Sequence, residues 1–346
     1  MNPLCHLPHY LKKGQSFYSY DHCIIATGSK ASLPAAFDLG NKRIMTSKEA
    51  LELSDVPKHM LVVGAGYIGM ELGAVYAALG SKVSVIEAQS GMLAGADADL
   101  IRPVMAKAKE AFERLIFNAK IKKMATKGKT IQVDYVLDGK SHSECFDKVL
   151  VSVGRQPNSV NLGLENTAIK IDDKGFIVVD DTLKTAEASI YAIGDVAGGI
   201  LLAHKASKEA AIAVQAICGQ QVTKASMVVP CVVFTDPEVA WCGVTETEAR
   251  EQKLAVEVSK FSWAASGRAL SLNRTDGLTK LILEKDTHRV LGVGIVGPHA
   301  GELIAEGCLA VSNGLTADDL AMTVHAHPTL SETVMESAEL FFGHSF

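Results

Sequence analysis

The chain has 346 residues, 48% of them hydrophobic and 21% charged, with a formal net charge of −5. That balance suits a globular protein of two or three domains with ample buried core and excludes an extended disordered chain. It offers no basic patch for a nucleic acid, and no apolar run reaches the ~18 residues that a membrane helix needs. Met1 to His9 lacks the basic-then-apolar pattern of a signal peptide, so the expected location is the cytoplasm, or the mitochondrial matrix in a eukaryote. Seven cysteines (Cys5, Cys23, Cys145, Cys218, Cys231, Cys242, Cys308) follow no regular spacing and include neither C-x-x-C nor C-x-x-x-x-C. They suit reduced thiols and imply no disulfide framework.

In chain order, His22 to Ser29 reads as a strand running into a turn, and Thr46 to Leu53 as a short helix with Ser47 as its cap. From Lys58 the pattern sharpens. Leu61-Val62-Val63 fits a buried parallel strand, and Gly64-Ala65-Gly66-Tyr67-Ile68-Gly69-Met70-Glu71 carries the spacing GxGxxG. Gly64 permits the tight turn, Gly66 lets a pyrophosphate approach the backbone, and Gly69 lets the next helix pack closely on the sheet. The phosphates then rest on the N-terminus of a helix from Tyr67 to Leu79, which Gly80 stops. Val83 to Glu87 reads as the second strand, with Glu87 roughly 20 residues beyond the glycines, where a carboxylate accepts hydrogen bonds from a ribose. It would repel a 2′-phosphate, which favours NAD over NADP. The candidate NAD site is thus Gly64, Ala65, Gly66, Tyr67, Ile68, Gly69, Met70, Glu71 and Glu87. Glu71, one turn into the helix, also suits the helix dipole whatever else it does.

An amphipathic helix follows over Ala98 to Phe112, then strands over Ile131 to Leu137 and Lys148 to Val153, and a turn at Gly154-Arg155-Gln156-Pro157-Asn158. Phe176 to Asp180 and Ser189 to Ile193 read as strands, the second closed by Gly194-Asp195. An Ala-rich helix spans Lys205 to Cys218. Beyond Pro230, strands (Val232 to Phe234, Leu278 to Glu284, Val290 to Ile295) and helices (Gly301 to Ser312, Ser331 to Phe342) suggest a separate α+β domain from about residue 228. Alternating strands and helices make the whole an α/β protein with parallel sheets.

Taken together, Ala26-Thr27-Gly28-Ser29, the glycine fingerprint, Val153 to Asn158, Tyr191 to Asp195, Leu202 to Ala206 and His325-Ala326-His327-Pro328-Thr329-Leu330-Ser331-Glu332 resemble the flavin-dependent disulfide reductases. This is the class I pyridine nucleotide-disulfide oxidoreductase family, and within it the chain looks like the dihydrolipoamide dehydrogenases. The resemblance runs from about Tyr20 to the C-terminus, over nine tenths of the chain. Pro237 to Trp241 and Trp263 to Ala269 resemble the terminal domain of those enzymes. The resemblance implies Rossmann-like FAD/NAD(P)-binding domains plus a C-terminal α+β dimerisation domain. Residues 1–46 would be a remnant of the FAD domain, 47–157 the NAD domain, 158–227 a second FAD segment and 228–346 the dimerisation domain.

The same resemblance implies residue roles. Thr27, Gly28 and Ser29 would lie beside FAD, Asp195 would bind its ribityl chain, and Leu201, Leu202, Ala203 and His204 would approach the flavin through backbone amides. Gly154 would lie on the nicotinamide side. Glu71 would sit near the nicotinamide and pair with a lysine just after the redox cysteines, a lysine this sequence does not offer. His327 would be the general base for the dihydrolipoamide thiol, with Glu332 orienting its ring. His327 is preferred to His325 because it keeps the family's spacing to the acid. Thr329-x-x-Glu332 also fits a capping box, with Pro328 at the helix start. No cysteine or carboxylate cluster completes a metal set around His325-x-His327.

The implied cofactors are NAD and FAD, the implied assembly a homodimer, and the implied substrate dihydrolipoamide on the acyltransferase or carrier component of 2-oxo acid dehydrogenase complexes. One departure matters. Only 25 residues precede Ala26, fewer than the ~30 of a βαβ crossover, none spells GxGxxG, and no redox C-x-x-x-x-C is present. The FAD site is therefore expected to be incomplete, with weak or absent FAD retention and no dihydrolipoamide dehydrogenation by this polypeptide alone. Related readings are a mercuric reductase, although no cysteine follows Cys308, and a glutathione-type reductase, whose NADP preference Glu87 opposes. The reading of another class is a non-catalytic NAD-binding and dimerisation fragment.

Overall fold

The computed structural model describes residues 10–13 and 16–343. Met1 to His9, with Cys5, lie outside the described residues. Two compact units form, Met1–Lys30 with Gly154–Met227, and Ala31–Val153 with Val228–Phe346.

In the second unit, strands Ile44–Met45, Lys148–Val151, His59–Val63, Lys82–Ile86 and Arg114–Ile116 make a parallel sheet in that spatial order. Val63 stands level with both Ile86 and Val151, so the strand ends that lead into the glycine turn are flush. The aliphatic runs are buried on both faces, as parallel strands require. Helices Tyr67–Ala78 and Ala98–Ala111 cover one face through Met70, Tyr76, Leu100 and Val104. An antiparallel sheet of Lys120–Lys127, Thr130–Leu137 and Lys140–Phe146 covers the other through Met124, Ile131, Val133 and Phe146. The sequence reading anticipated only the middle strand of these three. Its neighbours expose most of their residues and so lack an apolar signature.

Helix Ser47–Glu52 is capped by Thr46 and not by Ser47. The Glu49 carboxylate accepts from the Thr46 N–H at 2.9 Å and from its hydroxyl at 2.6 Å, a capping box one residue earlier than expected.

Residues 228–343 of this unit form the expected α+β domain. Its antiparallel sheet runs Cys231–Val233, Glu238–Gly243, Val290–Gly297, Leu278–Glu284 and Val256–Ser262. Helices Ala300–Asn313, Ala317–Met322 and Glu332–Phe341 share its core. The opposite sheet face meets helix Ala98–Ala111 closely, since a Cβ on Gly294 would lie 2.6 Å from Leu100 Cδ1. Beside that contact Lys280, 1% exposed, donates to Asp97 at 2.7 Å, Asp99 at 2.8 Å and Glu246 at 3.0 Å. A buried ammonium with three carboxylate partners locks these segments in register.

In the first unit, Tyr10–Lys13 pairs with Ser16–Ser19 as an antiparallel hairpin, and Cys23–Ile25 pairs in parallel with Ile190–Ala192. Helix Ala203–Ile217 begins two residues earlier than the sequence suggested. Phe176 to Asp180 is not a strand, and only an isolated bridge joins Ile177 to Ile171. The aspartates that flank it decide this. The Asp172 carboxylate accepts from the Lys174 and Phe176 amides, and the Asp180 carboxylate from those of Thr182 and Lys184, so turns replace ladder pairing. Among the described residues no helix is long and apolar enough to cross a membrane.

Candidate functional site

The glycine turn shows three different demands. Gly64 has φ +100°, and a Cβ there would lie 2.5 Å from the Ser152 carbonyl oxygen. A Cβ on Gly69 would lie 2.0 Å from the Gly64 oxygen, so only glycine allows the helix to start this close to the strand. Gly66 is different. It is exposed, it is the N-cap of helix Tyr67–Ala78, and a Cβ there would meet nothing within 4 Å. The first turn of a helix points amides without intrahelical partners into such a space, a site that suits an anion.

Glu87 sits beside this turn. Its carboxylate accepts from the Ala65 N–H and from the Gln89 N–H, each at 2.8 Å. Tyr67 and Ile68 lie on the same first turn, whereas Met70 belongs to the core. It is 1% exposed and its amide donates to the Gly66 oxygen at 3.0 Å, so its candidacy for the nucleotide is withdrawn. Half-buried Glu71 accepts from the Phe234 N–H at 2.8 Å, and burial pushes its carboxyl above the usual range.

In the other unit three separated motifs converge. Asn158 donates from its side chain to the Thr27 oxygen at 2.9 Å and from its backbone to the Gly28 oxygen, also at 2.9 Å, while the Thr27 hydroxyl donates to the Asn158 oxygen at 2.8 Å. Arg155 donates to the Ser29 hydroxyl at 2.6 Å and to the Ser29 carbonyl at 3.0 Å. The Ser29 hydroxyl in turn donates to Asp195, whose Oδ2 lies 3.5 Å from the Arg155 Nε. Gly28 turns with φ +68° and Gly154 with φ +125°, conformations that favour glycine at both bends.

Sequence reasoning missed the support beneath Asp195. Lys205 and Glu209, a turn apart on the Ala-rich helix and both buried, form an ion pair at 3.0 Å. The Lys205 ammonium donates to the Gly194 and Gly198 oxygens at 3.2 and 2.8 Å, and Glu209 accepts from the Gly194 N–H at 2.7 Å. The 3-10 turn Gly194–Ala197 is thereby clamped at both ends. The i,i+4 spacing of a lysine and a glutamate on an otherwise small-residue helix was the available signal. Leu201 and Leu202 are half-buried, and Ala203 and His204 are exposed at the start of that helix.

Near the C-terminus Glu332 meets both His327 and Thr329. One carboxylate oxygen lies 2.9 Å from His327 Nδ1, and the other accepts from the Thr329 N–H at 2.7 Å. The helix nevertheless starts at Glu332 with Ser331 as N-cap, so neither Thr329 nor Pro328 opens it. Burial raises the Glu332 carboxyl, but the Thr329 amide and His327 outweigh it and hold the group below the ordinary range. His327 itself is 77% exposed, with its other ring nitrogen directed away from this pair. His325 is committed elsewhere. Its ring, 6% exposed, contacts Glu306 at 2.7 Å and the Thr323 oxygen at 2.9 Å. One turn on, burial, with Glu332 and Glu339 adding to it, raises Glu336 to about 6.

Residues 5–210 match the pyridine nucleotide-disulphide oxidoreductase family model, and residues 229–338 match the dimerisation domain of the same family. The chain belongs to the pyridine nucleotide-disulphide oxidoreductase family. It is 40% identical over 335 residues to the dihydrolipoyl dehydrogenase of Vibrio cholerae, covering 96% of this chain and 70% of that enzyme. It is 42% identical over 326 residues to the dihydrolipoyl dehydrogenase of Haemophilus influenzae, covering 94% and 68%. Among solved structures, LpdA from Mycobacterium tuberculosis superposes with a TM-score of 0.86 at 30% identity, covering 94% of this chain and 71% of that one. The HOCl-induced flavoprotein disulfide reductase RclA from Escherichia coli gives 0.87 at 28%, covering 96% and 77%.

This member of the family is a dihydrolipoyl dehydrogenase-type flavoprotein oxidoreductase, and family membership carries with it the use of FAD and a pyridine nucleotide. The dimerisation domain supports a homodimer. Asp97, Asp99 and Glu246 form a carboxylate group close enough to hold a cation, and the Lys280 ammonium takes that place in this oxidoreductase.

Proposed function

We propose that residues 61–87 bind NAD, and that His327, oriented by Glu332, is the proton acceptor for a dithiol in the conversion of dihydrolipoamide and NAD to lipoamide and NADH, a reaction whose redox cysteine pair this sequence does not contain, so that the polypeptide alone does not complete it. The observation that carries the reading is the open space over Gly66 beside the Glu87 carboxylate, flanked by two glycines that packing forbids to change. The amides of the first helical turn at Gly66 to Ile68 would hold a pyrophosphate, and the Glu87 carboxylate would accept from ribose hydroxyls and disfavour a 2′-phosphate. Met70 takes no part.

In this proposal Thr27, Gly28, Ser29 and Asp195, with Leu201 to His204, contribute to an FAD site. The flavin, when bound, supplies the hydride relay between thiol and nicotinamide. The protein's part is rigidity. Arg155 and Ser29 hold one oxygen of Asp195, and the Lys205–Glu209 clamp fixes the turn that presents it. Glu332 has an oxygen on the Thr329 amide and another on His327 Nδ1, which fixes the imidazole and leaves its far nitrogen for the thiol proton. The dithiol is carried by the acyltransferase or carrier component of a 2-oxo acid dehydrogenase complex, and the His327–Glu332 pair serves the site of the partner subunit in a homodimer.

Fluorescence titration of the purified protein with NADH and with NADPH tests the nucleotide assignment. Saturable NADH binding with NADPH at least about tenfold weaker, ~1.4 kcal/mol, supports it. Equal affinity for the two, or no saturable binding, overturns it.

A further inference from the structure

Three cysteines that the proposed chemistry does not use, Cys231, Cys242 and Cys308, occur in the C-terminal domain. Strand Glu238–Gly243 places Cys242 opposite Val293 of the neighbouring strand. Helix Ala300–Asn313 lies close over this part of the sheet. A Cβ on Gly301 would be 3.0 Å from Val232 Cγ1, and one on Gly307 would be 2.8 Å from Val293 Cβ. Cys308 follows Gly307 and so comes down beside Cys242, and both side chains belong to one apolar cluster. The neighbouring Cys242 thiol draws Cys308 below the usual thiol range, and the Cys308 thiol together with burial pushes Cys242 above it. Cys242 is 2% exposed, whereas Cys308 is half-buried and reachable by a small oxidant. Cys231 pairs with Trp241 in the sheet, which puts it on the face opposite Cys242, and burial raises it to about 11.

We infer that Cys242 and Cys308 are a peroxide-sensitive pair that oxidation converts into a disulfide stapling strand Glu238–Gly243 to helix Ala300–Asn313. The accessible Cys308 thiolate attacks one peroxide oxygen and the O–O bond breaks, giving a sulfenic acid and hydroxide. The hydroxide takes the Cys242 proton and becomes water. The Cys242 sulfur then attacks the sulfenic sulfur, forming the S–S bond and expelling a second hydroxide, which the proton first lost by Cys308 neutralises. Two thiols lose two electrons in total, and one hydrogen peroxide becomes two waters.

The test treats the purified full chain with hydrogen peroxide, counts thiols under denaturing conditions, and maps cross-linked peptides by mass spectrometry of an unreduced digest. The expected result is the loss of two thiols per chain, a peptide containing Cys242 joined to one containing Cys308, and full reversal by dithiothreitol. Cys231→Ser should keep the cross-link and Cys308→Ser should abolish it. Conversion of Cys308 to sulfinic acid with Cys242 still reduced, a cross-link between other cysteines, or no thiol loss overturns the inference. The mapping on the unaltered protein decides the matter even if a serine variant folds poorly.

Discussion

Gly66→Ala and Gly69→Ala separate nucleotide binding from packing within a single turn. At Gly69 the added methyl would sit 2.0 Å from a backbone oxygen and 2.6 Å from Ser152 Oγ. Neither can move without parting the helix from the strand. Overpacking of this kind costs about 1–3 kcal/mol, and the better helix propensity of alanine returns at most ~1 kcal/mol. A net loss near 2 kcal/mol lowers the melting temperature by about 4–8 °C. At Gly66 the methyl meets only solvent and the backbone is extended at φ −73°, so the stability change is limited to a few tenths of a kcal/mol from a poorer N-cap. The methyl does, however, occupy the space where a pyrophosphate must approach. NADH affinity should fall at least about tenfold, ~1.4 kcal/mol, with the melting temperature within about 1–2 °C of the parent. Thermal melts and NADH fluorescence titrations on the same two proteins give both readings. A Gly66→Ala protein that binds NADH as tightly as the parent, or a Gly69→Ala protein of unchanged stability, would refute the reasoning.

Glu87→Arg should reverse the nucleotide preference, weakening NADH and tightening NADPH by about tenfold each in competitive titrations, and an unchanged ratio contradicts the ribose assignment. Lys280→Met leaves Asp97, Asp99 and Glu246 with only the more exposed Lys260, at 2.7 Å from Asp99 and 2.8 Å from Glu246, and should cost about 3–5 kcal/mol in a urea titration, so a loss below ~1 kcal/mol argues against a buried lock. Burial raises Asp97 and Asp99, but Lys280 and their other partners outweigh it and hold both carboxyls below the usual range. Their stabilisation is therefore full above the ordinary aspartate pKa near ~3.9 and is lost as pH falls through the lower folded values. Melts in that acid range should show the loss, and the Lys280→Met protein should show less of it, since Lys260 and the Glu246 and Thr247 amides remain. Glu332 follows the same sign, its depressed carboxyl stabilising above about pH 4.3, so Glu332→Gln should flatten the acid limb of the melting profile. A limb identical to that of the parent contradicts the pairing with His327 and Thr329.

Where a residue's environment is local, the sequence was enough to place it. Gly64, Gly66 and Gly69 announce a turn because their spacing fixes which backbone meets which, and His327 to Glu332 spans a single bend. The strands His59–Val63 and Lys82–Ile86 stand out because burial on both faces leaves an unbroken aliphatic run. Lys120–Lys127 and Lys140–Phe146 were missed because their side chains face water, and Phe176 to Asp180 misled because its alternation is real while the flanking aspartates redirect the backbone. Met70 sits inside the glycine motif but on the core side of the helix, a distinction that only burial reveals. The meeting of Ser29, Arg155 and Asp195 depends on contacts between residues up to 166 positions apart, which no local pattern encodes, whereas Lys205 and Glu209 carried a local i,i+4 spacing without showing that they grip Gly194.

Amide hydrogen exchange with and without saturating NADH tests the nucleotide assignment most directly. The account predicts slowed exchange concentrated in 64–71 and at 87–89, with the sheet of residues 231–297 unchanged. Saturable NADH binding that leaves 64–71 and 87–89 exchanging at the ligand-free rate would contradict it.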